Sequence, residues 1–488
     1  MFYRPFSETR LTGNGPHRPH IHILDDYSLL DIFSFSRPEI LDGSELDSQS
    51  SEGGEWNGER WWYRLVKVCR RWRYIVLESA HRLGLSLVCA RGTPVADMLA
   101  HSASLPLIID HFFNDYEITA EDEKGIGLAL QHRDRVRCIR LRGSASILQK
   151  LVNSCDGHFP VLEYLLIEPQ QFLLLTAQDH VDLPETFRAP HLRHLFLTNF
   201  NISIGSPLLT TTKSLVTLSL NPIPLSAYFD PNALLQRVSL MPQLEILRIY
   251  FGTHFASHIE RHLLRTPVLT RVTLPNLRWL GFKGDSGYLD VILPYITLPL
   301  LEKLQIHFFT QLTYRVSNLR QFMITAENIR PDTIELTFLS QWVELLGYPH
   351  QGARMYTLSL SFDHQILHGQ VESATQVFQI LRETFSVAEH LTLKYNGPSN
   401  LWQHIEPNDM QWRELLRSFV NLKTLFVDGC LVETLSRVLQ PFPGESPTEL
   451  LPELQELSCP LMVNLVNAFT PFIDARQKAG RPVTMINL

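Results

Sequence analysis

The tetrapeptide Gly284-Asp285-Ser286-Gly287 has the composition of the serine-nucleophile motif of trypsin-like proteases. Such a serine works only with a histidine base that takes its proton and an oxyanion hole that stabilises the tetrahedral intermediate. The chain offers no Ala-Ala-His-Cys-like segment and no disulfide framework for that chemistry. Glycine, aspartate and serine also favour turns and helix N-caps, and the tetrapeptide follows a candidate strand at 277–282. We therefore predict a strand-to-helix turn here and no catalytic residue, with a serine hydrolase at Ser286 as a remote alternative.

Histidine and cysteine spacing gives little support for a metal or redox site. His17, His20 and His22 lie close together, but no cysteine or carboxylate completes a ligand set, so we predict a flexible tail over 1–20. The six cysteines are widely scattered and include no CxxC pair, which is typical of reduced thiols and not of a disulfide frame or a zinc site. The chain also lacks the Walker, GxGxxG, GxSxG and HExxH motifs. We expect no cofactor, no metal and no enzymatic activity.

The segment WWYRLVKVCRRWRYI at 61–75 combines aromatic and basic residues in a way that suggests two different functions. Six basic residues lie within the fourteen positions of 60–73, which suggests a nucleic-acid surface. The apolar residues nevertheless share one face at i, i+3, i+4 and i+7 spacing, as in an amphipathic helix with a solvated basic side. The net charge of −7 also opposes general affinity for nucleic acid or anionic membrane. We favour the amphipathic helix and keep nucleic-acid binding as an alternative.

Two short motifs carry a resemblance to a known family. Residues 29–33 read Leu-Leu-Asp-Ile-Phe, and residues 68–73 read Val-Cys-Arg-Arg-Trp-Arg. Together they resemble an F-box, the three-helix module that docks on the Skp-family adaptor of cullin–RING ubiquitin ligases. The resemblance implies helices at 24–33 and 61–77 and a set of adaptor-binding residues. These residues are Leu24, Leu29, Leu30, Ile32, Phe33, Leu65, Val68 and Trp72.

The chain departs from the usual F-box pattern at two places. Asp25 follows the opening leucine where the family has proline, although aspartate can still begin a helix as its N-cap. Residues 36–60 form an acidic insert rich in Ser, Gly and Glu, for which we predict a mobile loop. We place the F-box-like module at 21–80. The departures favour an alternative in which the F-box has decayed and the protein is a scaffold with no ligase role.

A second pattern, Leu-x-x-Leu-x-Leu, recurs through the rest of the chain at intervals of roughly 23 to 34 residues, close to the period of leucine-rich repeats. No single copy can bury its apolar face, so neighbouring copies must stack. Clear copies begin at Leu162, Leu192, Leu215, Leu244, Leu277, Leu301, Met355 and Leu422. Weaker copies begin at Leu269, Leu319, Ala388 and Leu454, and earlier strands are expected near 83–89, 106–111 and 136–141. In the copy at Leu422 the register predicts that Cys430 is an inward-facing turn residue.

The predicted fold is therefore α/β, with a helical F-box-like module followed by an irregular leucine-rich-repeat solenoid over 81–488. Helical returns are expected at 93–103 and 144–155. The family resemblance implies a substrate receptor of an SCF-type ubiquitin ligase, which holds an unknown client protein on its repeats and contacts a cullin through the adaptor. The opening residues have no apolar run of signal-peptide length, and no stretch approaches the roughly 20 apolar residues of a membrane span. We expect an intracellular protein in the cytoplasm or the nucleus.

Overall fold

The fold was analysed in a computed structural model that describes most of the chain. The described residues are 24–36, 61–101, 105–112, 117–170, 180–252, 267–311, 313–349, 355–364, 366–397, 408–460 and 467–487. The predicted tail at 1–20 lies outside them, as does the predicted acidic insert at 36–60 except for Ser36.

One large sheet of mainly parallel strands organises the described part of the chain. Its sixteen strands lie in the order β1-β2-β3-β4-β6-β8-β9-β11-β13-β16-β15-β14-β17-β18-β19-β20. Two further pairs, β5 with β7 and β10 with β12, form small separate parallel sheets. The strands are β1 Leu87–Ala90, β2 Leu107–His111, β3 Val136–Gly143, β4 Tyr164–Pro169, β5 Val181–Asp182, β6 His194–Leu197, β7 Phe200–Asn201, β8 Thr217–Ile223, β9 Ile246–Phe251, β10 Val272–Thr273, β11 Trp279–Gly284, β12 Ile296–Thr297, β13 Lys303–Phe308, β14 Thr333–Leu339, β15 Trp342–Tyr348, β16 Leu358–Asp363, β17 His390–Asn396, β18 Thr424–Val427, β19 Glu456–Cys459 and β20 Thr484–Asn487.

Helices return the chain from one strand to the next and cover one side of the large sheet. The α-helices are α1 Asp26–Phe35, α2 Trp62–Leu65, α3 Arg70–Glu78, α4 Ala80–Leu83, α5 Val95–His101, α6 Ala120–Gln131, α7 Ala145–Asn153, α8 Pro207–Thr211, α9 Pro231–Val238, α10 Ser286–Ile292, α11 Ser317–Thr325, α12 Leu367–Ile380, α13 Arg382–Phe385, α14 Asp409–Leu416, α15 Val432–Val438 and α16 Thr470–Lys478. The predicted helical returns at 93–103 and 144–155 are confirmed as α5 and α7.

The repeat leucines form buried rows that run across the sheet. Leu195 lies beside Leu218 in register, Leu218 beside Leu247, and Leu247 beside Leu280. Each is at most 5% exposed. Burying one such side chain contributes about 1.5–3 kcal/mol relative to leaving it in water, but only because the next repeat covers it. The spacing of the motif therefore specifies stacked repeats, and the predicted solenoid of strands with helical returns is confirmed at this level.

Two weak copies of the motif and one strand direction differ from the prediction. The copy at Leu319 is the helix α11, because leucine and phenylalanine three residues apart also fit a helix face. The copy at Leu269 lies outside the large sheet, with Leu269 itself 79% exposed. Between β14 and β16 runs an antiparallel strand, β15, so the arc is not built from parallel strands alone.

The prediction for Cys430 is wrong. The residue is exposed, in the short 3₁₀ turn Gly429–Leu431 that follows β18. In this turn the side chains of Leu431 and Val432 are buried, and the preceding Cys430 thiol faces solvent. Cys89, Cys138, Cys155 and Cys459 are buried.

The N-terminal helices share their core with the first strands. We define the N-terminal module as the described residues 24–36 and 61–83. Its buried residues belong to the same continuous hydrophobic cluster as the solenoid. Trp62 is 4% exposed, and its indole Nε1 donates to the carbonyl oxygen of Ser86 at 3.3 Å, directly before β1. The module is therefore packed as the N-terminal cap of the solenoid.

Candidate functional site

The N-terminal module is built around the contact of α1 with α3. Asp25 begins α1 as its N-cap, and its Oδ1 accepts from the Ser28 N–H at 2.7 Å. The Phe33 and Trp72 rings lie 4.7 Å apart. The Arg71 Nη2 on α3 forms an ion pair with the Asp26 Oδ1 at 2.7 Å and also donates to the Leu24 carbonyl oxygen at 2.6 Å. Asp25, which follows the opening leucine where an F-box has proline, thus begins α1 as its N-cap, as predicted.

The structure divides the predicted adaptor-binding residues into interior and surface sets. Leu29, Leu30 and Phe33 are at most 6% exposed and form the core of the module. Leu24, Leu65 and Trp72 are half-buried and pack against that core. Ile32 and Val68 lie on the surface, 44% and 58% exposed.

Sequence reasoning missed four more exposed apolar residues on this module. They are Tyr27, Phe35, Tyr74 and Leu77. Phe35 lies three residues after Ile32 on α1, and Leu77 lies three residues after Tyr74 on α3, so each pair shares a helix face. The signal was present in the sequence, because both pairs fall opposite the buried positions of their helices. Exposed apolar side chains concentrated in this way mark interaction surfaces.

The basic segment at 61–75 forms two helices and not the one that its periodicity predicts. Residues 66–68 form a turn between α2 and α3. Cys69 is the N-cap of α3, and its Sγ accepts from the Trp72 N–H at 3.5 Å. The break turns Val68 outward and divides the basic residues between two helix surfaces.

The second candidate surface is the open face of the large sheet, which we define by the strand positions that alternate with the core positions. Its first part, the apolar zone, is formed by apolar residues on β1 to β6, which share this face with the ion pairs Arg140–Asp110 and Arg142–Glu168. The apolar residues are Val88, Ile108, Cys138, Tyr164, Leu166 and Phe196. Tyr164 and Phe196 contact each other with ring centroids 5.5 Å apart.

The central part of the open face, the basic zone, covers β9, β11 and β13. Its nine positions are Ile246, Arg248, Tyr250, Trp279, Gly281, Lys283, Lys303, Gln305 and His307. The Cζ atom of Arg248 lies 3.6 Å from the centroid of the Trp279 ring, and the Nζ atom of Lys303 lies 3.9 Å from it. Such cation–π contacts hold charged groups against an aromatic face.

The third part, the acidic zone, contains Glu335 and Glu344 on β14 and β15. Glu335 pairs with Lys394 at 2.8 Å. Burial raises the pKa of Glu344, while a hydrogen bond from Ser359 and the charge of His307 act in the opposite direction.

A serine, a histidine and an aspartate meet where the basic and acidic zones join. The His307 Nδ1 lies 2.7 Å from the Ser361 Oγ, and its Nε2 lies 2.5 Å from the Asp363 Oδ1. Ser361 is 6% exposed, in the middle of β16 between two hydrogen-bonded neighbours. We interpret the group as a polar network that links adjacent strands. No sequence motif marks it, because His307 lies 54 and 56 positions from its two partners.

Ser286 is buried in a strand-to-helix turn, where its hydroxyl group is held by two hydrogen bonds. The tetrapeptide at 284–287 joins β11 to α10, so the predicted strand-to-helix turn is confirmed. Ser286 is fully buried, and its Oγ donates to Gln311 Oε1 at 2.7 Å and accepts from the Arg315 N–H at 2.8 Å. These bonds fix the loop after β13 against α10.

Comparisons with known proteins do not identify a family for this chain. No family model matches the chain, and no curated protein matches it. Among solved structures, the chain is similar to the leucine-rich repeat-containing protein LegL7 from Legionella pneumophila, at 13% identity and a TM-score of 0.23. That match covers 60% of this chain and 92% of the other. Among the helices in the described residues, none has the length and apolar character needed to cross a membrane.

Proposed function

We propose that the protein is a substrate receptor of an SCF-type ubiquitin ligase. The N-terminal module would dock on a Skp-family adaptor, and through it on a cullin, while the open face of the sheet holds a client protein. The protein performs no chemistry in this role. It raises the concentration of client lysines beside the ubiquitin-charged enzyme.

The observation that carries the proposal is the exposure of apolar residues on the helices that hold the F-box-like motifs. Ile32 and Phe35 are 44% and 87% exposed on α1, and Val68 is 58% exposed before α3. The buried residues of the same motifs hold α1 against α3, so the helices present these side chains from a packed support. A partner that covers them gains about 25 cal/mol for each Å² of apolar surface removed from water.

Co-purification with a Skp-family adaptor tests the proposal, and surface variants suit it better than a deletion. Removing 21–80 would uncover the first strands, because Trp62 and Leu83 belong to the shared core. We therefore choose the double variant Ile32→Glu with Phe35→Glu, which changes only exposed positions. Leu269→Glu is the matched control, since Leu269 is 79% exposed and lies far along the solenoid.

The expected result is a stoichiometric complex with the native chain and the Leu269→Glu variant, and its loss with the double variant. Circular dichroism spectra that superimpose would show that all three chains are folded. If the native chain binds no adaptor, the proposal fails and the alternative of a repeat scaffold with a decayed F-box takes its place. Equal binding by the double variant would show that α1 does not form the docking surface.

A further inference from the structure

We propose that the open face binds an extended segment of a partner protein carrying a phosphate or carboxylate group, with the anion over the basic zone. The inference rests on the part of the proposed function that gives the open face to a client. It does not depend on whether the N-terminal module binds an adaptor.

Charge distribution is the first observation. The nine positions of the basic zone hold Arg248, Lys283 and Lys303 and no carboxylate, while His307 at the edge of the zone contacts Asp363 on β16. The chain as a whole carries a formal net charge of −7. Three neighbouring strands thus create a local positive field on a negative protein, and such fields attract and orient anionic partners.

The geometry around Trp279 is the second observation. The Arg248 and Lys303 charges lie 3.6 Å and 3.9 Å from the same ring centroid, so at most 7.5 Å separates them. Two positive charges at this distance together strengthen the attraction for an anion that lies above the Arg248 guanidinium. Lys303 also lies 4.2 Å from the centroid of the Tyr356 ring and is 9% exposed, so its charge acts on an anion without contacting it. Arg248 is the more accessible of the two and presents the guanidinium that suits a phosphate or a carboxylate.

Gly281 makes room for this arrangement. A methyl group at its position would lie 3.0 Å from the Arg248 Cγ and 2.7 Å from the Tyr250 hydroxyl oxygen. The bare backbone at this point of β11 lets both side chains lie across the strand. The missing side chain at Gly281 therefore allows the Arg248 guanidinium to lie over Trp279.

The flanking zones specify what else the segment should contain. Phe196 in the apolar zone and Arg248 in the basic zone occupy the same register row, two strands apart across β8. Two strand spacings are about 10 Å, which an extended peptide covers in about three residues. The segment therefore carries an apolar side chain about three residues from its anionic group. On the other side of the basic zone lies the acidic zone, where Glu335 is paired with Lys394 and Glu344 is half-buried.

A binding assay with the full-length chain tests this inference. The probes are fluorescein-labelled peptides of sequence Gly-Gly-Leu-Gly-Gly-X-Gly-Gly, with X as phosphoserine, glutamate or serine, and fluorescence anisotropy measures their affinity. We expect the phosphoserine peptide to bind at least about tenfold tighter than the serine peptide, with glutamate between them. Arg248→Gln should remove that advantage, and Arg248→Lys should keep most of it.

Arg278→Gln is the matched control, because Arg278 precedes β11 and forms an exposed pair with Glu302. It removes the same charge a short distance away, and we expect no change in peptide affinity. The inference is overturned if no peptide binds at millimolar concentration, if phosphoserine and serine peptides bind equally, or if Arg278→Gln weakens binding as much as Arg248→Gln. Tighter binding of a single-stranded RNA than of the phosphopeptide would show that the ligand class is wrong. No adaptor enters this assay, so its failure is separate from failure of the adaptor experiment.

Discussion

The N-terminal module and the solenoid differ in where their exposed large apolar side chains lie. The module exposes six of them within the described residues 24–36 and 61–83, whereas those exposed on the solenoid are spread from Val161 to Phe442. The solenoid can bury its leucines because every repeat is covered by the next. The module has only three short helices around α1, and its outer helix faces have no neighbour in the described structure. The difference shows that stacking buries the apolar side chains of the solenoid, whereas the outer helix faces of the module keep theirs exposed.

The largest expected effect is on the free energy of unfolding, when a buried arginine of the solenoid and a partly exposed arginine of the module are each replaced. Arg413 on α14 is 1% exposed, donates to the Val438 and Gln440 carbonyl oxygens at 2.6 Å and 3.0 Å, and pairs with Glu445. Arg413→Met should lower the free energy of unfolding by about 3–5 kcal/mol, because it removes the guanidinium from the Glu445 carboxylate, which is 10% exposed, and leaves the two carbonyl oxygens without that donor. Arg71→Met in the module removes a partly exposed pair and should cost about 0–1 kcal/mol. Urea denaturation of both variants measures the difference, and equal costs would contradict this account of Arg413.

The next prediction compares the loss of stability when one buried leucine in each region is replaced by alanine. Leu29 in the module and Leu304 in the solenoid are both fully buried. Leu→Ala at either position should cost about 2–5 kcal/mol from lost burial and the cavity left behind. Hydrogen exchange should show the two losses in different places, with Leu29→Ala opening α1 and α3 and Leu304→Ala opening β13 and its neighbours. Uniform loss of protection along the whole chain in both variants would show that the two regions unfold as one unit.

The smallest effect is on pH dependence. Burial alone would raise the pKa of Glu445, but hydrogen bonds from the Phe442 N–H and from Arg413, with the charges of Arg413 and Arg417, lower it below 4.5. Hydrogen bonds from Ser28 lower the pKa of Asp25 below 3.8. A carboxyl whose pKa is lowered by folding stabilises the protein above its unfolded pKa, and this contribution is lost as the pH falls through the folded value. Stability should therefore decrease below about pH 4.5, mainly through Glu445, which is nearly buried, whereas Asp25 is exposed.

Urea denaturation between pH 7 and pH 3 checks this prediction. The Glu445→Gln variant is the control, because it is destabilised at pH 7 and should lose less stability on acidification than the native chain. An unchanged acid dependence in that variant would assign the effect to other carboxyl groups.

The sequence predicted the solenoid well where its motif allowed one interpretation. The leucine rows at Leu195, Leu218 and Leu247 form as predicted, because these copies recur in order and no single copy can bury its apolar face alone. The hairpin of β14 and β15 was missed because its alternating residues lack the Leu-x-x-Leu-x-Leu spacing, so nothing marked an antiparallel insertion. Leu319 was misassigned because its spacing also fits a helix.

The candidate sites were less predictable because they depend on positions that no motif marks. Helical periodicity at 61–75 continues across the turn at 66–68, so this pattern places Val68 on the buried face, whereas the structure exposes it. The basic zone joins Arg248, Trp279 and Lys303 from three strands, and only the register of the sheet brings them together.

The most direct test of the central claim is hydrogen exchange of the full-length chain with and without a Skp-family adaptor. Because the exposed apolar residues lie on α1, α3 and the turn before α3, we predict that the adaptor slows exchange in 26–35 and 66–78. The open face, including β9, β11 and β13, should exchange at an unchanged rate. Protection confined to the open face, or no protection anywhere at saturating adaptor, would contradict the assignment of the N-terminal module as the docking surface.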